Sequence, residues 1–284
     1  MLPEVAAIRY VTPLREGGSL PAIMEADDLG TYVVKFRGAG QGPKALIAEV
    51  VSARLARACG LAVPELVTVA LDPELAPGEP DQEIQDLLRA SAGRNLGVDF
   101  LSGAVDFDAA AASVDGGLAG RIIWFDALVA NADRSWRNPN LLFWREQLYL
   151  IDHGATLTFQ HRWESAQAAA ARPYDVSDHA LIGCQPRLEA ADRDLTGLIT
   201  SAVLAEAVAD IPADWLEPAP GLPDPAQVRQ AYANWLAERL AAKDSWLPPM
   251  LATAKEPGRA RIPARSAPPA WLANSPRKRS GSAG

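Results

Sequence analysis

A short, strongly apolar hairpin pattern at residues 141–151 constrains the fold more than any other feature of this sequence. Two apolar runs, Leu141–Trp144 and Leu148–Ile151, are separated by a short polar turn, which is typical of two antiparallel strands. A tight hairpin returns the chain to its starting edge, so Asn138 before it and Asp152 after it are expected to lie side by side. An apolar helix and then a polar loop lead into the hairpin.

A third polar residue, Asp133, precedes Asn138 by five positions in the same loop. Phosphoryl transfer uses this kind of set, because an acid can orient or deprotonate the attacking hydroxyl group. An amide oxygen and a carboxylate oxygen can hold Mg²⁺ against phosphates, since this ion prefers hard oxygen ligands. The pattern therefore favours an ATP and Mg²⁺ site formed by Asp133, Asn138 and Asp152. The alternative is that these residues only shape turns and the end of a strand.

Lys35 lies within a run of β-branched and aromatic residues, Thr31–Phe36, that predicts a strand. A lysine in such a strand needs an anionic partner, because burying an unpaired charge is costly, and the phosphates of ATP would supply one. Arg37 shares its face of the predicted strand, so both side chains could line the same cleft. The alternative is an edge strand that leaves Lys35 in solvent.

Two further elements could complete a phosphate site. Glu49, in the first predicted helix, could pair with Lys35, although it falls away from the centre of that helix's apolar stripe. The segment of Gly17, Gly18 and Ser19 could cover phosphates with its backbone N–H groups. A Gly-Gly pair is also common in ordinary hairpin turns, so both interpretations of this segment stay open.

The chain changes character near residue 105, from strand-rich to helical. Apolar and β-branched runs predict strands at residues 6–12, 31–37, 63–71 and 96–101. Apolar stripes at helical spacing predict helices at residues 43–59, 81–90, 119–131, 187–209 and 225–242. We therefore predict an α+β fold with a strand-rich N-lobe at residues 1–104 and a helical C-lobe at residues 105–254.

Composition argues against several classes of function. The net charge of −8 is unlike that of a general nucleic-acid binder. No stretch approaches the roughly 20 apolar residues of a membrane span, and residues 1–4 lack the basic start of a signal peptide. Cys59 and Cys184 give no disulfide or metal framework, so we expect both to be reduced in a cytoplasmic protein. Residues 255–284 carry a net charge of +6 and predict a disordered basic tail.

Four segments resemble the HipA-like kinases, a bacterial family with a protein-kinase-like fold. The segments are Val33–Lys35, Glu49–Pro64, Asn131–Asn138 and Ile151–Gly154. The Asp-Arg-x-x-x-Asn form in the third segment is also similar to phosphatidylinositol kinases, which are distant relatives of the same fold. The resemblance implies a bilobal architecture and an ATP- and Mg²⁺-dependent transfer of phosphate to Ser or Thr of a protein.

The resemblance also implies particular roles for the residues singled out above. Asp133 would be the catalytic base, and Asn138 and Asp152 would hold Mg²⁺. Lys35 would contact the phosphates of ATP, and Glu49 could pair with it as a helix glutamate does in protein kinases.

The order of segments along the chain implies that Phe100, Leu101 and Ser102 lie in a hinge that meets the adenine ring. Some members of the family are toxins restrained by a small DNA-binding partner, so an antitoxin-like partner is a further expectation. The chain is shorter than a typical full-length member, and we expect no N-terminal subdomain ahead of its first strands.

Three alternative functions stay open from the sequence alone. The acceptor could be a lipid or a small molecule instead of a protein hydroxyl. The chain could be a pseudokinase that binds a nucleotide without transferring phosphate and acts as a regulatory module. It could also be an α+β protein with no nucleotide site.

Overall fold

The computed structural model describes residues 1–14, 20–109 and 112–256, and it has a mixed α+β architecture. The first five strands are β1 Glu4–Pro13, β2 Ala22–Ala26, β3 Thr31–Lys35, β4 Leu66–Leu71 and β5 Gly93–Asp99. They close into a barrel in the order β1-β2-β3-β5-β4. A separate three-stranded sheet contains β6 Val105–Asp106, β7 Leu141–Trp144 and β8 Gln147–Leu150.

Eight α-helices occur in the described part of the chain. They are α1 Pro43–Ala58, α2 Gln82–Ala90, α3 Gly116–Leu128, α4 Ala166–Ala170, α5 Leu188–Thr196, α6 Ser201–Ala209, α7 Pro225–Ala241 and α8 Lys243–Lys255. None of the helices in these residues is long and apolar enough to cross a lipid bilayer.

The alternation of side chains along β3 decides where Lys35 lies. Tyr32 and Val34 are buried in the hydrophobic cluster inside the barrel. Because neighbouring side chains in a strand point to opposite faces, Lys35 lies on the other face of β3, outside the barrel. That face is where α1 packs, as shown by the contact between Lys35 and Glu49.

The barrel closes through a pairing that joins distant parts of the chain. Residues 4–6 of β1 pair in parallel with residues 68–70 of β4, while β1 pairs with β2 in the antiparallel sense. The strands predicted at residues 6–12 and 31–37 are present and are joined through β2, but the parallel closure was not predicted. A parallel pair needs a long crossover, and local sequence patterns carry no signal for it.

Helix α1 is buried almost all round. It begins with Pro43 in its first turn and is followed by Gly60 at φ 70°, a left-handed conformation that favours glycine. Ten of its sixteen residues are buried, including the polar Glu49 and Ser52. Its apolar residues belong to the large hydrophobic cluster of the helices and the β7–β8 hairpin. The helix therefore has a second face, which points to the barrel and to the polar residues described below.

The predicted hairpin is present, with a shorter turn than expected. β7 and β8 are joined by Arg145 and Glu146, whose φ values are 48° and 64°. Two consecutive left-handed residues form the tight turn that matches the twist of antiparallel strands. Gln147 therefore belongs to β8 and pairs with Trp144.

Three further predictions differ from the structure. The helix predicted at residues 187–209 is two helices, α5 and α6, and the Thr200 side chain caps the second by accepting the N–H of Val203. Helix α8 was not predicted, because Pro248 and Pro249 lie inside it. It continues to Lys255, where the tail was expected to begin, and the tail from residue 257 lies outside the described residues.

Candidate active site

One cluster of charges lies between the barrel and the β7–β8 hairpin. The Lys35 ammonium group donates a hydrogen bond to the Glu49 carboxylate and another, of 2.7 Å, to the Asp152 Oδ1 atom. The Lys35 side chain is 14% exposed and that of Glu49 is 4% exposed, while that of Asp152 is 53% exposed. The cluster therefore has a closed end at Glu49 and an open end at Asp152.

Burial and charge act in opposite directions on these groups. Burial alone would lower the pKa of Lys35, but the carboxylates of Glu49 and Asp152 outweigh it and raise that pKa above its ordinary value. Burial alone would raise the pKa of Glu49, but Lys35 and His153 hold it well below its ordinary range. Both members of the Lys35–Glu49 pair are therefore charged at neutral pH.

The segment that follows Asp152 is tied to α1. The Thr156 hydroxyl lies 2.7 Å from the Ser52 hydroxyl and donates to the His153 carbonyl oxygen at 2.8 Å. His153 is buried, with its Nδ1 atom 3.7 Å from a carboxylate oxygen of Glu49. A Cβ atom on Gly154 would lie 3.5 Å from the other Glu49 oxygen, at an ordinary van der Waals distance. These contacts fix Asp152 relative to the helix that carries Glu49.

A second cluster surrounds Asp133 in the loop after α3. The amide groups of Asn138 and Asn140 both donate to its Oδ2 atom, at 2.7 and 3.1 Å. The Asp133 backbone N–H donates to the Asn131 side-chain oxygen at 3.0 Å. The two amides orient the Asp133 carboxylate, and the backbone contact fixes the loop that carries it.

Under this loop lies a buried carboxylate, Asp126 of α3, which has no solvent exposure. It accepts hydrogen bonds from Asn131 at 2.8 Å and from the Arg134 Nε atom at 2.7 Å, and His179 Nε2 lies 3.0 Å from it. Burial would raise its pKa, but Arg134 and His179 lower it to about 2. Arg134 in turn donates to the carbonyl oxygen of Asn140, so the network supports the whole loop.

The hairpin brings the two clusters together through the backbone. The Ile151 N–H donates to the Asn140 carbonyl oxygen at 3.1 Å, and the Ala132 N–H donates to Ala155 at 3.3 Å. The Asn138 amide is bonded to Asp133 and Asp152 is bonded to Lys35, and the placement of Asn138 beside Asp152 stays a prediction. Asp152 has a φ of 53°, a left-handed conformation that Asp and Asn tolerate better than most residues.

The predicted hinge residues link the barrel to the second sheet. The Phe100 N–H donates to the Thr31 carbonyl oxygen at 3.0 Å, and the Ser102 carbonyl oxygen accepts from the Trp144 indole at 3.0 Å. Leu101 is buried and Phe100 is exposed. These residues connect β5 with β6, and their contact with adenine stays a prediction.

Two other expectations have different outcomes. Arg37 lies beyond the end of β3 and contacts Asp214 at 3.4 Å, so it does not share the cluster of Lys35. Gly17, Gly18 and Ser19 lie outside the described residues, and their contact with phosphates stays a prediction.

The oxygen atoms in this region suit a hard cation. Asp152 offers a half-exposed carboxylate, and the hydrogen bond from the Asn138 amide nitrogen leaves the amide oxygen available. Mg²⁺ accepts one or two such protein oxygens together with phosphate oxygens and water. Among the described residues, no group of three or more His, Cys, Asp or Glu could hold a metal alone. The donor set therefore fits Mg²⁺ bound together with phosphates.

Three residues of this region were missed from the sequence. Asp126 could have been found, because a carboxylate within the apolar run Ile122–Leu128 must have a buried partner. Asn140 could have been found from its position at the entry to the hairpin. His179 lies 53 residues from Asp126 in the chain and gave no sequence signal.

The fold of this chain is kinase-like. The structure is similar to the Helicobacter pylori proinflammatory kinase CtkA, with a TM-score of 0.50 and 13% sequence identity over 88% of this chain and 98% of that one. It also matches the Golgi casein kinase, with a TM-score of 0.41 and 13% identity over 86% and 74% of the two chains. No curated protein sequence matches the chain.

The family model of the HipA-like kinases matches residues 7–247, so the chain belongs to the HipA-like kinase family. The match includes both clusters and all described strands and helices except the start of β1 and the end of α8.

Proposed function

We propose that this chain is an ATP- and Mg²⁺-dependent kinase that transfers the γ-phosphoryl group to a hydroxyl group, with Ser or Thr of a protein as the acceptor. The observation that supports this proposal most is that the two clusters are joined. Lys35 is held between Glu49 and Asp152, and the Asp133 loop is hydrogen-bonded to the hairpin that leads to Asp152. Membership of the HipA-like kinase family supports phosphoryl transfer and the use of ATP.

In this proposal, Lys35 contacts the phosphates of ATP. Its ammonium group is held by the buried carboxylate of Glu49, which keeps the charge in place when another anion approaches. Asp152 is the more exposed of its two partners, so the bond between Lys35 and Asp152 is the one that a phosphate can replace. Glu49 acts as the positioning residue for Lys35.

Asp133 is proposed to orient the acceptor hydroxyl and to take its proton. The amides of Asn138 and Asn140 fix one carboxylate oxygen, and the buried Asp126 network fixes the backbone of the loop. The charge on the phosphates would be neutralised by Mg²⁺ held by Asn138 and Asp152.

We further propose a bilobal arrangement, with lobes at residues 1–104 and 105–254. Support comes from the hydrophobic cluster inside the barrel, whose members all lie before residue 104, while α1 of the same lobe packs into the cluster of the helices and the hairpin. Phe100, Leu101 and Ser102 would then form the hinge and contact adenine. A cytoplasmic location and a small DNA-binding partner are supported by the family resemblance alone.

The test is a transfer assay with γ-labelled ATP and Mg²⁺, using the purified chain with proteins, lipids and small molecules from a bacterial lysate. We expect label on protein Ser or Thr, which is lost on chelation of the metal. The Asp133→Ala variant should lose about 100-fold or more of this transfer, since that is the usual contribution of a general base. Asp194→Ala, which removes an exposed carboxylate of α5, is the matched control.

The chemical class of the labelled product identifies the acceptor. Label on a lipid or a small molecule, sensitive to Asp133→Ala, would retain the kinase and correct the acceptor. Nucleotide binding without transfer to any acceptor would contradict the proposed enzyme, and so would equal transfer by Asp133→Ala and the native chain.

A further inference from the structure

A cavity of 170 Å³ lies outside the candidate active site, on the segment between Asp152 and the end of α4. It is lined by Thr158, Phe159, His161, Arg162, Ser165, Ala169 and Arg172. None of these side chains takes part in the two clusters described above. The cavity therefore needs an explanation of its own.

The charged side chains that line this cavity are both basic. The guanidinium groups of Arg162 and Arg172 are exposed and have no ion pair or hydrogen bond with any described residue. No carboxylate of the described chain is among the lining residues. Most other arginines of the barrel and helices contact an acid or a carbonyl group, as Arg94 does with Glu4 and Asp214. Two unpaired guanidinium groups beside one cavity fit a ligand that carries negative charge.

Hydrogen bonds from two side chains fix the backbone that carries these arginines. The buried Arg239 of α7 donates to the carbonyl oxygen of Ala170 at 2.9 Å and to that of Arg172. The Ser165 hydroxyl donates to the carbonyl oxygen of Arg162 at 3.1 Å. Both arginines therefore start from fixed backbone positions, which lowers the entropy lost when a ligand binds.

The wall of the cavity is also rigid. Phe159 stacks on Trp235 with 4.2 Å between ring centroids, and its ring also meets Trp163 and Tyr232 edge to face. His161 lies at the rim, where burial and the charge of Lys44 lower its pKa, so it is neutral at pH 7. The site thus combines two cations, two hydroxyl groups and an aromatic wall.

We propose that this cavity binds a phosphate monoester, separately from the ATP site. Guanidinium groups form paired, charge-assisted hydrogen bonds with phosphate oxygens. The hydroxyl group of Thr158 lines the same space and can donate to a remaining oxygen, while the Ser165 hydroxyl donates to the carbonyl oxygen of Arg162. The cavity is too small for a nucleotide and large enough for one phosphate group with its ester carbon. The ligand can be the side chain of a phosphorylated protein or a free phosphorylated compound.

Titration calorimetry on the full chain at low ionic strength tests this proposal with three probes. They are a phosphoserine peptide, the same peptide without phosphate, and inorganic phosphate. The double variant Arg162→Gln/Arg172→Gln should bind the phosphopeptide about tenfold more weakly or worse, because two charge-assisted contacts are lost. Arg193→Gln, which removes an exposed arginine of α5, is the matched control and should bind as the native chain does.

Two further measurements test the geometry of the contacts and the location of the site. Arg162→Lys/Arg172→Lys retains both charges but not the paired geometry, so it should bind with intermediate affinity. Saturating ADP with Mg²⁺ should leave binding of the phosphopeptide to the native chain unchanged, because the phosphates of the nucleotide are assigned to a different site. This arm needs no kinase activity, so failure of the proposed enzyme leaves the result interpretable.

The outcomes separate the two sources of the phosphate group. Binding of the phosphopeptide well above that of inorganic phosphate supports a phosphorylated protein as the ligand, and equal binding supports a free compound. The proposal is overturned if neither phosphate probe binds, if the unmodified peptide binds equally well, or if the double glutamine variant, folded by circular dichroism, binds like the native chain.

Discussion

The cluster around Lys35 and the cluster around Asp126 use similar charges in opposite ways. Asp126 and Arg134 have no side-chain exposure, and each oxygen of Asp126 is bonded. The Lys35 cluster is buried at Glu49 but open at Asp152, which is 53% exposed. The first network is closed and can only support the loop above it. The second has one open contact, which a ligand can replace without uncovering the rest.

This contrast separates the charges that stabilise the fold from the charges that can bind a ligand. A buried ion pair contributes little over an apolar pair of the same shape, but removal of one partner is very costly. An exposed ion pair contributes about 0–1 kcal/mol, so it can be exchanged at little cost. Measurements of stability should therefore separate the two clusters even before any activity is known.

The largest expected effect is that of Asp126→Ala. It leaves the buried guanidinium group of Arg134 without its carboxylate, so the free energy of unfolding should fall by about 3–5 kcal/mol. Chemical unfolding measures this change. The control is Asp194→Ala, an exposed acid whose removal should change stability by less than about 0.5 kcal/mol. Equal effects of the two variants would show that the Asp126 network does not support the fold.

A smaller loss is expected for Glu49→Gln. Lys35 keeps its contact with Asp152, so the lost charge should cost about 1–3 kcal/mol of stability. Phosphoryl transfer should fall more than stability does, because Lys35 loses the partner that positions it. The control is Glu65→Gln, in which the acid is exposed and paired with Arg57. Unchanged transfer in a folded Glu49→Gln variant would contradict the role of Glu49.

Acid should weaken the closed network. The pKa of Asp126 is lowered from 3.8 to about 2, so its contribution to stability is fully present above pH 3.8 and is lost as the pH falls toward 2. That contribution is roughly 2 kcal/mol, from the size of the shift. The free energy of unfolding, measured with urea between pH 2 and 5, should therefore decrease less steeply with falling pH in Asp126→Asn than in the native chain. Equal pH dependence of the free energy of unfolding in the two chains would show that Asp126 is not the source of the acid sensitivity.

The smallest effect on stability is expected at the open end, for Asp152→Asn. This variant keeps a side chain that tolerates the left-handed backbone, so stability should change by less than about 1 kcal/mol. The stabilisation by Mg²⁺ with ATP, about 2.7 kcal/mol at 100 times the Kd, should disappear. Thermal unfolding with and without Mg²⁺ and ATP measures both quantities. Full stabilisation in the variant would show that Asp152 holds no metal.

Local patterns were enough to predict most elements, and they singled out Lys35, Glu49 and Asp152, which form one cluster. The hairpin, the strand that carries Lys35 and the helix that carries Glu49 each lie where the apolar spacing put them. The helical wheel was misleading for Glu49, because it assumes one buried face. Since α1 packs against the helices on one face and the barrel on another, a residue away from the apolar stripe is buried as well.

The relations between distant segments were not predictable in this way. His179 reaches Asp126 from another part of the chain, and the parallel pairing of β1 with β4 joins residues more than 60 positions apart. Such contacts depend on how the elements pack, which one sequence does not record. The bond of Asn138 to Asp133 was missed for a simpler reason: proximity was inferred from the ends of the hairpin, and side-chain orientation was not.

The closure of the barrel has a consequence for how this protein folds and associates. Within the described residues, every strand of the barrel has two hydrogen-bonded neighbours, although β1 pairs with β4 only over residues 4–6, so the closure leaves little edge at which a strand of another molecule can add. The same closure makes folding slower, because β1 must stay unpaired on one side until β4 has been synthesised and brought to it. During that interval, β1 has an unprotected edge, and aggregation is then most favourable.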